Sequence, residues 1–264
     1  MPERTSYEPG TPSWVEFSTP DLDASIAFYG GLFGWEVPES ENAEQTGGYR
    51  LAMKDGRPAA GMMPKMDEGQ PTAWATYLSV DDAAATAAAV TDAGGTVMVE
   101  PMDVMDLGRM AVFVDPGGAV FGVWQPGAFA GAGLVNEPGA IAWNELNTRD
   151  LAAAKEFYGA AFGWQFEDME SGEGNYSMIK LGEHPIGGIL DMEERGVPEM
   201  IPPHWQVYFG VEDTDATIAA AKEAGGGVML EPIDIPFGRF AILTDPHGAG
   251  FAVIALSSEA QANA

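Results

Sequence analysis

Residues 14–35 read W-V-E-F-S-T-P-D-L-D-A-S-I-A-F-Y-G-G-L-F-G-W, and residues 143–164 read W-N-E-L-N-T-R-D-L-A-A-A-K-E-F-Y-G-A-A-F-G-W. The echo continues downstream, where Gly108-Arg109 returns as Gly238-Arg239 and Asp115-Pro116 as Asp245-Pro246. A segment repeated at half the chain length marks a duplicated domain. The reading places one domain over 12–126, a Gly- and Ala-rich linker over 127–139, and a second domain over 140–256.

Within the repeat, Trp14, Glu16 and Ser18 share one face of a period-2 strand, and Val15 and Phe17 share the other. Thr19 or Asp21 caps the helix that follows, with Pro20 near its first turn. Leu22, Ile26, Tyr29 and Phe33 form its apolar stripe, and Gly34 ends it. Strand-like pieces follow at 49–54 and 58–64. The pattern then restarts with a strand at 72–80, an Ala-rich helix capped by Asp81, and strands at 96–101, 109–114 and 119–124. The expected fold is therefore α+β, with tandem βαβββ units making two domains. Helices cover one sheet face, and two sheets closing on each other through the other face would make a cup lined by Trp and Glu.

Composition narrows the function. The chain has 264 residues, 46% of them hydrophobic, and a net charge of −28 from 12 basic and 40 acidic residues. Such acidity repels phosphate backbones and anionic membranes, so neither nucleic acid nor membrane is an expected partner. Cysteine is absent, which removes thiol nucleophiles, disulfides and thiolate metal sites. A polar N-terminus and the lack of a long apolar run lead to the expectation of a cytoplasmic protein. Whether two chains form a homodimer is open at this stage.

The FY-x3-FGW helix, the Gly-Arg-x-Ala-x3-Asp-Pro-x-Gly run and the tandem βαβββ pattern resemble the vicinal oxygen chelate superfamily. That superfamily includes glyoxalase I, extradiol dioxygenases and bleomycin- and fosfomycin-resistance proteins. The likeness covers about 12–124 and 140–255 and extends to actinobacterial two-domain glyoxalase-like members. These include a mycobacterial culture-filtrate antigen and auxiliary proteins of anthracycline pathways. The resemblance implies metal ligands at four strand positions. Those positions hold Trp14 and Trp143, Ala75 and Gln206, Gly122 and Ala252, and residues within 61–63 and 188–190. None offers an imidazole or a carboxylate, so neither a metal site nor a cofactor is expected.

The candidate chemistry then rests on Glu16 and Glu145, carboxylates facing an apolar cup and suited to acid–base work. Trp14, Trp143, Tyr77, Tyr208, Trp124 and Gln206 are the expected ligand-binding residues, aromatic faces suiting a flat molecule. The expected function is metal-independent binding of an apolar or aromatic metabolite, for sequestration, protection or an auxiliary metabolic role. The alternative is a glyoxalase-type lyase or isomerase acting on an α-carbonyl substrate with Glu16 and Glu145 as acid–base groups. Arg109 and Arg239 read as structural ion pairs, and His184, His204 and His247 as surface residues.

Overall fold

The computed structural model describes residues 3–39, 46–169, 176–258 and 260. The first sheet is built from β1 (Pro12–Thr19), β2 (Arg50–Lys54), β3 (Arg57–Pro64), β4 (Ala73–Ser79), β5 (Thr96–Val104), β6 (Gly108–Val114) and β7 (Val120–Pro126). The second is built from β8 (Ile141–Thr148), β9 (Gln165–Met169), β10 (Tyr176–Leu181), β11 (His184–Asp191), β12 (His204–Gly210), β13 (Gly227–Ile235), β14 (Gly238–Thr244) and β15 (Gly250–Leu256). Four helices connect them: α1 (Leu22–Phe33), α2 (Ala83–Asp92), α3 (Leu151–Phe162) and α4 (Thr214–Glu223).

The strand orders are β2-β3-β1-β4-β7-β6-β5 and β13-β14-β15-β12-β8-β11-β10-β9. In each sheet the two units join at the antiparallel pair of their first strands, β1 with β4 and β8 with β12. The units thus pair within a domain, and each sheet has its own helix-free face. The sequence left open which units pair. Among the described residues the first unit also shows one strand fewer than its counterpart in the second domain. Where the second domain has β9, the described residues of the first show a bridge, Glu36 to Met53.

Asp21 rather than Thr19 caps α1, accepting from the Ala24 N–H, and Gly34 closes the helix at φ 67°. Asp150 and Gly163 do the same for α3. Asp82, not Asp81, caps α2. The buried stripe of α1 is Ser25, Phe28, Tyr29 and Phe33, while Leu22 and Ile26 are only partly buried. The stripe is shifted because α1 packs on two surfaces at once, its own sheet and the second domain.

That double packing builds the molecule. Val15 and Phe17 point from β1 toward α1, and Phe17 meets Tyr29 edge-on at 5.1 Å. On the far side Phe28 and Phe33 of α1 reach Phe251 and Phe209 of the second domain. The reciprocal set is Phe121 against Phe157, Tyr158 and Phe162 of α3. Each repeat motif supplies a cross-domain tie. Tyr29 donates to Asp245 Oδ2 at 3.4 Å and Tyr158 to Asp115 Oδ2 at 3.1 Å. The Trp35 indole donates to the Gly139 carbonyl and the Trp164 indole to that of Gly10. The helix faces of both sheets are therefore consumed by each other, and the opposite faces are left for function.

Candidate functional site

The face turned away from the helices carries the same constellation twice. In the first domain, register places Glu16 between Gly61 of β3 and Ala75 of β4. One pleat along, Trp14 lies beside Tyr77, which lies beside Gly122 of β7. The Tyr77 hydroxyl donates to Glu16 Oε1 at 3.2 Å, and the Trp14 indole donates to the Tyr49 hydroxyl at 2.9 Å. Tyr49 also hydrogen-bonds Glu16. Burial raises the Glu16 carboxyl above its ordinary value, and the two phenol donors oppose that rise. Both tyrosines are pushed well up by burial and by the neighbouring carboxylate, so they remain donors.

The second domain repeats this with additions. Glu145 lies between Gly188 and Gln206, and Tyr208 lies between Trp143 and Ala252. Tyr208 donates to Glu145 Oε1 at 3.1 Å, and the Trp143 indole donates to Tyr176 at 3.0 Å. Asn147 Nδ2 is 3.4 Å from the same carboxylate oxygen. Glu145 is 7% exposed, and its carboxyl is pushed up to about 7 by burial, against the pull of Tyr208, Arg195, Asn147 and Tyr176.

All the sequence-derived candidates lie on these two faces. Trp124 stands on β7 two residues beyond Gly122, and its indole donates to the Phe129 carbonyl at 2.8 Å. Gln206 is buried, and its Nε2 donates to the Val207 carbonyl. The sequence reading missed Tyr49, Tyr176, Asn147, Arg195 and Phe129. Tyr49 and Tyr176 could have been found, because Tyr49 immediately precedes β2 and Tyr176 opens β10, the strands that pair with β3 and β11 in equivalent hairpins. Phe129 and Arg195 belong to loops with no repeat to flag them. Arg109 pairs with Asp103 at 2.8 Å, and Arg239 pairs with Asp215 and Asp234 at 3.0 Å each, as structural ion pairs. His184 is exposed, but His204, which opens β12, and His247, in the turn before β15, are half-buried. Burial lowers the His204 imidazole below its usual value.

The two faces differ in access and polarity. In the first domain, Phe129 of the linker packs edge-on against Trp14 at 4.9 Å and Trp124 at 6.0 Å. Trp14 and Trp124 are both buried. In the second domain, Ile254 stands where Trp124 stands in the first, and Trp143 is half-buried. Its apolar wall is Phe240, Ala252 and Ile254, backed by Leu230 and Ile233.

A profile of the Glyoxalase/Bleomycin resistance protein/Dioxygenase superfamily matches residues 11–123 and 140–253, and the chain belongs to that superfamily. Among its relatives is CFP32 of Mycobacterium tuberculosis (strain CDC 1551), named as a candidate glyoxylase. It is 44% identical over 259 residues, 96% of this chain and 98% of its own. The anthracycline biosynthesis protein DnrV of Streptomyces peucetius is 41% identical over 266 residues, 96% of this chain and 95% of its own. The fold is shared with the Mn(II)-bound glyoxalase of Novosphingobium aromaticivorans, at a TM-score of 0.62 and 18% identity, over 93% of this chain and 82% of that one. It is also shared with the 2,2',3-trihydroxybiphenyl 1,2-dioxygenase of Sphingomonas wittichii, at 0.65 and 17%, over 94% of this chain and 91% of that one. No helix among the described residues is long and apolar enough to cross a membrane.

A metal of the kind the superfamily implies does not fit these residues. A Cβ added to Gly61 would overlap the Tyr49 hydroxyl, and one added to Gly188 would overlap the Tyr176 hydroxyl. A Cβ on Gly122 would overlap the Tyr77 ring. Phenol groups thus fill the space a ligating side chain would need. Among the described residues no three His, Asp or Glu side chains cluster to hold an ion.

Proposed function

We propose that the protein binds a flat, largely apolar small molecule without a metal, and that the second-domain cup is the working site. The observation that carries this reading is the Trp–Tyr–Glu–Tyr chain built over glycines. It replaces a coordination sphere with hydrogen-bond donors set in an aromatic wall, the usual make-up of an organic ligand pocket. The half-buried Trp143 offers an indole face for stacking. In the first cup the linker's own Phe129 takes the equivalent place against Trp14. The name of DnrV suits an aromatic metabolite as the ligand class.

The test is quenching of tryptophan fluorescence by a flat aromatic probe, alizarin, before and after exhaustive chelation. Binding should survive chelation, and Trp143→Ala should weaken it about tenfold, as loss of one stacking partner implies. Binding that appears only with an added divalent cation, or that ignores Trp143→Ala, would overturn the reading.

A second reading is favoured by one observation. Glu145, held near neutrality between two phenol donors, has the character of a general acid–base group. In that reading it moves a proton at a carbon next to a carbonyl, while Tyr208 and Tyr176 hydrogen-bond the developing oxyanion. Exchange of solvent deuterium into a bound α-hydroxyketone, abolished by Glu145→Gln, would establish it. No exchange would leave binding alone.

A further inference from the structure

Phe129 belongs to neither sheet. It lies just beyond β7, in the segment that joins the two domains, and its ring covers part of the helix-free face of the first. The ring stands edge-on to Trp14, at 4.9 Å and 88°, and to Trp124, at 6.0 Å and 75°. Both tryptophans are buried, while Phe129 itself is only half-buried. Both indoles are also fixed. The Trp14 N–H donates to the Tyr49 hydroxyl at 2.9 Å, and the Trp124 N–H donates to the Phe129 carbonyl at 2.8 Å. The Trp124 ring lies across Gly108, where an added Cβ would meet it at 2.6 Å. Two anchored indoles thus hold a third ring in the edge-to-face arrangement that aromatic pairs prefer.

The segment carrying this ring is fastened on either side of it. Upstream, the N–H groups of Gly127 and Phe129 donate to the Leu107 carbonyl and that of Ala128 to the Asp106 carbonyl, in the turn between β5 and β6. Downstream, the Ala132 N–H donates to the Ser13 carbonyl, the Gly133 N–H to the Pro58 carbonyl, and the Tyr7 hydroxyl to the Ala132 carbonyl at 2.5 Å. Between these ties Gly131 takes φ 120°, and a Cβ there would lie 2.5 Å from the Ser13 carbonyl oxygen. Only glycine lets the chain pass so close. The backbone therefore delivers the ring to its seat. The second domain keeps the first of these fastenings, since the Ser257 N–H donates to the Phe237 carbonyl as Gly127 does to Leu107. It does not keep the ring. Residues 257–264 contain no aromatic side chain, and Ile254 stands in the place of Trp124.

Resting on the reading of the cups as ligand sites, we propose that the first cup is a second site for a six-membered aromatic ring and that Phe129 is its built-in occupant. The chain then takes its flat ligand in the second cup and keeps the first one filled. A phenyl group tethered on both sides has a far higher effective concentration than a dissolved one, so a free ring does not displace it. Removing that side chain leaves a ring-sized space against two indoles. The Phe129 carbonyl that holds Trp124 belongs to the backbone and stays. An apolar vacancy of this kind takes up a small arene.

The test uses toluene, which is the severed side chain as a free molecule, and alizarin for the second cup, all in the full chain. Phe129→Ala should bind one more toluene per chain than wild type does. Near tenfold excess over its Kd, toluene should raise the Tm of the variant by about 3 °C more than that of wild type. Adding Trp14→Ala should weaken this extra toluene about tenfold. Adding Trp143→Ala should leave it within about twofold, because that indole lines the other cup. Gly131→Ala keeps every ring and disturbs only the strap, and it too should admit the extra toluene, so the test stands even if Phe129→Ala folds poorly. No extra toluene in either variant would overturn the proposal, as would extra toluene that ignores Trp14→Ala. Alizarin bound by wild type with no extra toluene in the variants sinks this inference and spares the second cup. Extra toluene in the variants with no alizarin bound by wild type does the reverse, and neither probe bound by any of the proteins sinks both.

Discussion

Replacing Glu145 by glutamine removes a titration that folding displaces. The carboxyl rises from 4.5 to about 7 in the folded chain, chiefly through burial. Between those pH values the folded protein holds a proton that the unfolded chain has released. Wild type therefore carries no deficit from this group below the lower value. It loses stability as pH rises through the window and carries the full deficit above the upper one. A displacement of two to three units at about 1.4 kcal/mol each makes that deficit about 3 kcal/mol. Glutamine keeps the shape and can still bond Tyr208 and Tyr176, so the variant should match wild type near pH 4.5 and exceed it by about 3 kcal/mol near pH 8. Urea unfolding of both proteins in parallel, followed by tryptophan fluorescence across that range, measures the difference directly. A difference that does not change with pH would refute the reasoning, because Glu145 would then titrate as it does in the unfolded chain. A variant less stable than wild type near pH 8 would also refute it. The hydrogen bonds and Arg195 would then outweigh the cost of burying the charge.

Gly188→Ala should displace the Tyr176 hydroxyl from its seat and break its bond to Trp143, costing about 1–3 kcal/mol. Thermal unfolding and a shift in Trp143 emission would report it, and a neutral substitution would mean the tyrosine does not occupy that space. Tyr158→Phe should leave the buried Trp205 N–H without its acceptor and Asp115 without its cross-domain donor, at about 1–3 kcal/mol. Burial already raises the Asp115 carboxyl, and losing a donor raises it further. The penalty should therefore grow as pH rises above the carboxylate range, and a cost independent of pH would count against the tie.

The duplication made the fold legible. A strand followed by a capped, Gly-terminated helix, with Asp-Pro turns at equivalent places, rests on local chemistry: the period of two, the Asp cap and the left-handed glycine. The same alternation puts Trp14, Glu16, Tyr77 and their counterparts on one face. Reading the motif residues themselves was harder. Tyr29 reads as a member of an apolar stripe and Asp115 and Asp245 as parts of a repeated Asp-Pro run, yet Tyr29 bonds Asp245 and Tyr158 bonds Asp115 across the domains. Such a bond links residues far apart in the chain, and no spacing announces it.

The sequence by itself determined that two α+β domains of one superfamily are present and which face of each first strand bears the carboxylate; the strand positions that the resemblance marks for metal ligands hold no imidazole or carboxylate. Only the tertiary structure decided what stands there instead. Tyr49 and Tyr176 reach over Gly61 and Gly188 because sheet register brings a neighbouring hairpin beside β1 and β8. Tertiary packing also made the cups unequal, setting Phe129 of the linker against Trp14. Periodicity fixes the direction of a side chain along its own strand. The neighbours that change its solvation and charge come from distant segments, and their arrival is settled only when the whole chain has packed.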